Sequence, residues 1–202
     1  DRVSISPHTI FDTGFDIALY GGAGVGKTTT LQAYSRKKRK NTIIYLPLNR
    51  ILQKVIKILK TQEDRSFLKD DLIWKIILVS KDITPNEDNI KKVNELLLNK
   101  TSLILDGLDE IYSSISEIIP AIAEFKDKRP DIQIIISSRD CVSYLNKIKF
   151  LGITLLPFTK IQLDKFILGW LNDDIKAEQL KNSINELNLY DYIKTYSFFY
   201  TS

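Results

Sequence analysis

Methionine is missing from this 202-residue chain, even at position 1, and cysteine and histidine occur once each. A single thiol, Cys141, excludes an internal disulfide and a thiolate zinc cluster. A single imidazole, His8, excludes multi-histidine metal sites, and with no histidine near it in sequence Cys141 is assigned no catalytic role. So sparing a use of cysteine suits a reducing compartment, and a cytoplasmic location is the expectation. Long hydrophobic runs are missing too. Ile76–Ser80 and Ile132–Ile136 fall far short of the roughly 18 residues a membrane span needs. Asp1–Asp16 carries no signal or transit pattern, and the lack of an initiator methionine reads as a start inside a longer protein.

Charge of one sign is scarce as well. The net charge is +4, and five basic residues sit together at Arg36–Lys40, so the remainder carries −1. That run, without interleaved aromatics, reads as the solvated C-terminal end of a helix, where cations meet the negative end of the dipole. Nucleic acid is therefore not expected as a partner. What is present is a core: 44% hydrophobic residues with 27% charged excludes intrinsic disorder and suffices for one large domain or two small ones.

Short β-branched apolar runs alternate with stretches of helical period, the pattern of a parallel sheet covered on both faces. Strands are expected at Phe15–Tyr20, Thr42–Leu46, Ser102–Leu105, Ile132–Ser137 and Ile153–Leu156. Helices are expected at Thr28–Lys38, Ile51–Leu59 and Phe67–Val79, from a cap at Thr84 to about Leu98, and from Ser114–Ser116 through Phe125. After Pro157 the strand signal stops. Thr159-Lys160-Ile161-Gln162 forms a capping box ahead of Leu163, Phe166, Ile167 and Trp170. Asp173 or Asp174 caps a helix with Ala177, Leu180, Ile184 and Leu187 inward, and a third helix follows Asn188. Trp74 and Trp170 read as core. The expected organisation is an α/β domain over residues 1–157 and an incomplete helical segment over 158–202.

Three motifs carry chemistry. Gly21-Gly22-Ala23-Gly24-Val25-Gly26-Lys27-Thr28 is a full GxxxxGKT between an expected strand and an expected helix. Glycines let the backbone curl so that its N–H groups face an anion, and the helix N-terminus adds positive charge. Lys27 then reaches the β- and γ-phosphates and the Thr28 hydroxyl ligates Mg²⁺. In Ser102–Glu110 an apolar strand delivers Asp106 toward the metal, and Asp109 or Glu110 is placed to orient the attacking water. Acids there also suit the first turn of a helix. In Ile134–Arg139 hydroxyls and Arg139 stand at the carboxyl end of a buried strand, where open α/β sheets bind ligands, so Arg139 is expected to read the γ-phosphate. Asn99-Lys100-Thr101-Ser102 lacks the aspartate of a guanine-reading NKxD, which favours ATP over GTP.

In this order and spacing, GGAGVGKTT (through Thr29), LILDGLDEI and IIISSRD resemble the NACHT subclass of STAND P-loop NTPases. The distinguishing feature is Gly107 directly after Asp106, followed by Asp109 and Glu110; Tyr45–Arg50 is similar to the family's second strand, which often ends near an arginine. The resemblance runs from about Phe15 to Ser202. It implies a three-layer P-loop NTPase sandwich on a five-stranded parallel sheet, followed by a small helical lid. It also implies an ATP- and ADP-binding switch that is closed with ADP and self-associates with ATP. Effector and sensor domains would lie on either side, and Arg139 matches the sensor-1 arginine. The family's proline-containing motif near adenine would fall at Tyr196–Phe199, where Ser197 takes the proline position, and Asp140 stands where a proline commonly follows the arginine. Nucleotide contacts are thus expected from Gly21 through Thr29, and metal ligation from Thr28 and Asp106. Catalysis would fall to Lys27, Asp106, Asp109, Glu110 and Arg139. Two other classes stay open: an AAA+-type motor or loader acting on nucleic acid or protein, and a nucleotide-binding scaffold without turnover.

Overall fold

The computed structural model of the chain describes residues 7–36, 42–61, 71–97, 101–139 and 148–193. It divides into two compact units: Asp1–Tyr20 with Thr28–Ile153, and Gly21–Lys27 with Thr154–Ser202. Lys37–Lys40, Asp140, Cys141 and Tyr196–Phe199, singled out above, lie outside the described residues.

The first unit is built on a five-stranded parallel sheet of β1 (Ile17–Tyr20), β2 (Thr42–Pro47), β3 (Thr101–Asp106), β4 (Gln133–Ser138) and β5 (Leu151–Thr154), in the order β2-β3-β4-β1-β5. The register sets Leu105 beside Leu46 and Ile136, and Ile17 beside Ile135. Every residue of β3 and β4 is buried, as unbroken apolar runs require of strands covered on both faces. At the edge, β5 starts two residues before the expected Ile153 and is largely exposed, with Leu151 half open to solvent. An apolar run does not say whether its strand is central or marginal.

Seven helices join these strands among the described residues: α1 (Pro7–Phe11), α2 (Lys27–Arg36), α3 (Leu48–Thr61), α4 (Leu72–Ser80), α5 (Glu87–Leu96), α6 (Leu108–Tyr112) and α7 (Ile118–Lys128). Side chains alternate across a strand, so each strand divides its residues between two layers. Leu46, Leu103, Leu105, Ile134 and Ile136 pack with Ile51, Trp74, Ile111, Ile122 and Phe125 of α3, α4, α6 and α7. Tyr45, Asp106 and Ser137 therefore point the other way, where α2 supplies Thr28 and Gln32. On that face Ser102 donates to Gln133, whose amide nitrogen donates to the Phe11 and Phe15 carbonyls and ties the N-terminal segment to the sheet.

Two helix starts differ from expectation. Asn86, not Thr84, caps α5, its Oδ1 accepting from the Asn89 amide at 2.8 Å. Asparagine caps as well as threonine or better. The stretch after Glu110 forms two helices, and Pro120 sits in the first turn of α7, where an absent N–H breaks no helical bond.

Within the second unit, α8 (Lys160–Leu171), α9 (Asp174–Glu186) and α10 (Tyr190–Ile193) enclose Leu163, Ile167, Ala177 and Ile184, with Phe158, Leu171 and Leu180 around them. The Thr159 capping box is complete: its hydroxyl accepts from Gln162 N at 3.3 Å, and Gln162 Oε1 accepts from Thr159 N at 2.9 Å. Asp173 caps α9. Trp170 is 47% exposed, against the expectation of a core residue. The buried stripe steps by four through Leu163, Ile167 and Leu171, and Trp170 falls on its margin. Leu187 is exposed because α9 ends at Glu186. Replacing Thr159 with alanine removes a satisfied cap and is expected to cost about 1 kcal/mol in urea denaturation.

Candidate functional site

The carboxyl ends of β2, β3 and β4 share one edge of the parallel sheet, and Asp106 closes β3 there. Its carboxylate is buried, 6% exposed, and accepts three hydroxyl hydrogen bonds. Ser137 Oγ donates to Oδ1 at 2.5 Å, Thr28 Oγ1 to Oδ1 at 3.3 Å, and Tyr45 Oη to Oδ2 at 2.6 Å. Each donor arrives by a simple rule. Tyr45 and Ser137 occupy strand positions on the α2 side of the sheet, and Thr28 lies in the first turn of α2. Gln32, one helical turn beyond Thr28, donates to Tyr45 Oη at 3.3 Å. Burial first, then the bond to Asp106, pushes the Tyr45 phenol well above its usual range, so it stays protonated and donating. The Gly107 amide donates to Ser137 Oγ at 2.8 Å, which fixes that hydroxyl from behind.

Sequence reasoning brought Thr28 and Asp106 together, and the first unit does so. It placed the Ser137 hydroxyl at the ligand-binding strand end without a specific partner, and assigned no role to Tyr45 or Gln32. The signal was present for Tyr45: a hydroxyl inside the apolar run Thr42–Pro47, at a position whose period-two alternation matches that of Asp106.

The second group surrounds the start of α6. Gly107 has φ +83°, a left-handed conformation, and lets the chain turn from β3 into α6. A Cβ there would lie 3.3 Å from the Glu110 carboxyl carbon. Arg139, just past β4, meets both acids: its Nε is 3.2 Å from Asp109 Oδ2, an Nη is 3.8 Å from Glu110 Oε1, and its amide donates to Asp109 Oδ1 at 3.2 Å. The three residues expected to handle the γ-phosphate and water thus stand together, with the arginine turned to the acids. Its side chain is 57% exposed, so these pairs are weak and open to exchange.

In the second unit, the glycine loop closes on its own lysine. Lys27 Nζ donates to the Gly21 and Gly22 carbonyls at 2.6 and 3.0 Å. Gly24 and Gly26 have φ of +75° and +95°. At Gly21, φ is +153° and a Cβ would meet Leu155 O at 2.7 Å and Val25 Cγ2 at 2.8 Å, so no side chain fits.

The donor set tests which metal would fit. Among the described residues, no three histidine, cysteine or acidic side chains gather into a closed metal site. Thr28 Oγ1 and the Asp106 carboxylate are two hard oxygens, suited to magnesium, which keeps several waters and takes one or two protein oxygens plus phosphate. Beside them is a cavity of about 100 Å³, lined by Gln32, Tyr45, Asn49, Arg50 and Glu110 among others, with room for about three waters at ~30 Å³ each.

No family model matches the chain, and no curated protein matches it. Solved structures do resemble it. One is domain III of the replication initiation protein DnaA from Thermotoga maritima, at 16% identity over 84% of this chain and 71% of that one, with a TM-score of 0.51. Another is the Drosophila ORC bound to DNA, at 14% identity over 91% of this chain, with a TM-score of 0.52. The chain spans 48% of that ORC chain, about half its length. At these identities the likeness concerns the fold alone, which is the α/β P-loop NTPase fold of AAA+ type. Among the described residues, no helix is long and apolar enough to cross a membrane.

Gly107→Ala is expected to destabilise the protein by about 1–2 kcal/mol in chemical denaturation, the cost of a left-handed non-glycine residue, and to displace Glu110.

Proposed function

We propose that this chain is the nucleotide-binding module of a NACHT-type STAND ATPase. It is an ATP/ADP switch whose slow, Mg-dependent hydrolysis controls self-association. The observation that carries the reading is the hydrogen bond between Thr28, the last residue of GxxxxGKT, and Asp106, the acid that ends β3. A glycine loop alone is a turn; a glycine-loop threonine on a buried strand-end carboxylate makes a metal-phosphate site.

The loop Gly21–Gly26 presents amides to the β- and γ-phosphates. A phosphate outcompetes neutral carbonyls for the Lys27 ammonium, because it brings a full opposite charge where the carbonyls bring only a dipole. Magnesium, when bound, neutralises charge on the phosphate oxygens; Thr28 and Asp106 are the residues that would hold it, Asp106 through a coordinated water. Arg139 exchanges its exposed pairing with Asp109 and Glu110 for the γ-phosphate. The freed acids then orient water for attack on the γ-phosphorus as the bond to the β–γ bridging oxygen breaks. Positioning and electrostatics supply most of such catalysis. What favours NACHT over a plain AAA+ module is local: Gly107 leaves the space into which Glu110 folds. Effector and sensor domains flanking this module, and assembly in the ATP state, belong to the same reading.

Lys27→Ala is expected to abolish ATP and ADP binding in calorimetric titration; unchanged affinity would remove the phosphate assignment. Glu110→Gln is expected to retain ATP and slow single-turnover hydrolysis by at least about 100-fold. Normal turnover in that variant, with loss in Asp109→Asn, transfers the water to Asp109. Stimulation of turnover by DNA or RNA would instead favour the loader.

A further inference from the structure

We infer that Tyr45 is a positioning residue of the metal site: through its bond to Oδ2 it holds the Asp106 carboxylate in the orientation that accepts metal-bound water. The inference rests on the reading of Asp106 given above and extends it to a residue outside all three motifs.

An ionised carboxylate offers about four acceptor directions. In Asp106, Ser137 and Thr28 take both at Oδ1, and Tyr45 takes one at Oδ2. When Thr28 turns its oxygen to a metal, its place at Oδ1 opens. Asp106 then has two free acceptor directions, one on each oxygen, for the waters of a hydrated cation. Which way they point depends on the plane of the carboxylate. Ser137 holds one oxygen and leaves the other without a direct tether. Among the described residues Tyr45 is the donor to the second oxygen, and with both oxygens held the plane of the carboxylate is set.

Tyr45 is itself held. Its Oη accepts from Gln32, four residues along α2 from Thr28, so the helix that places one metal ligand also sets the residue orienting the other. Tyr45, Gln32 and Asp106 line the small cavity where those waters have room. Outer-shell partners of this kind typically contribute 10–100-fold to metal affinity.

The experiment is a Mg²⁺ titration of the binding of a fluorescent ADP analogue, compared with its binding in EDTA. For Tyr45→Phe, which keeps the ring and removes one oxygen, affinity in EDTA is expected within about twofold of wild type. The Mg²⁺ concentration for half-saturation is expected to rise at least about tenfold. Gln32→Leu, which leaves Tyr45 in place, is expected to give a smaller rise in the same direction. A half-saturation within about twofold of wild type in Tyr45→Phe overturns the inference, as does an equal loss with and without Mg²⁺, the mark of a purely structural role. Should Tyr45→Phe fail to fold, Gln32→Leu decides alone, and an unchanged half-saturation there overturns it. Wild-type protein that binds the analogue in neither condition removes the proposed function itself, and the inference with it; a defect confined to the variants concerns Tyr45.

Discussion

A buried, ionised carboxylate tolerates no casual surroundings, and Asp106 is the one around which this molecule is arranged. Removing a charge from water costs several kcal/mol unless hydrogen bonds replace the lost solvent. Asp106 receives three, from α2, β2 and β4. None of those donors is near another in sequence. What brings them together is the alternation of the strands: the same period that sends Leu46, Leu105 and Ile136 into the layer of α3, α4, α6 and α7 sends Tyr45, Asp106 and Ser137 to the side of α2. A slip of one residue in the β2–β3 register would turn one partner's polar groups into the apolar layer, so the core's packing energy defends the site.

The charged groups just beyond the strand ends follow the opposite rule. Arg139 pairs with Asp109 and Glu110 while more than half exposed, and such pairs contribute little and are screened by salt. The fixed part of the site is therefore buried and neutral-donor rich, and the exchangeable part is solvated and charged. The proposed switch would need both: a rigid seat for metal and phosphate, and a cation whose partner can change with the γ-phosphate. Gly107 joins the two parts, since its amide steadies Ser137 while its left-handed backbone starts the helix carrying both acids.

Much of this was legible in the residues. Short apolar runs (Leu103–Leu105 and Ile134–Ile136) marked β3 and β4, because strands covered on both faces are apolar along their middles. GxxxxGKT and the acid ending β3 were readable because phosphate and magnesium restrict the chemistry at each position. The errors have physical causes. Thr84 and Asn86 both satisfy a capping pattern, and the spacing alone does not choose between them; Asn86 takes the Asn89 amide. Trp170 has the spacing of a core residue, yet the stripe that α9 covers runs through Leu171 instead. The edge position of β5 depends on strand order, which no local pattern contains. Tyr45 was overlooked for a different reason: a tyrosine in a strand is ordinarily explained by packing, and only the paired register with β3 gives its hydroxyl a partner.

The overall fold does not distinguish a switch from a loader, because likeness at 14–16% identity concerns the fold alone. Discrimination has to come from groups that the sheet does not dictate. A β3 strand ending in aspartate can turn into a helix with many residues at the next position. A glycine there supplies the left-handed turn, and a Cβ in its place would come within 3.3 Å of the Glu110 carboxyl carbon. That acid is within 3.8 Å of Arg139, so the size of residue 107 bears on whether the acid and the cation can meet. The NACHT proposal accordingly rests on Gly107 and the acids after it rather than on the strand order.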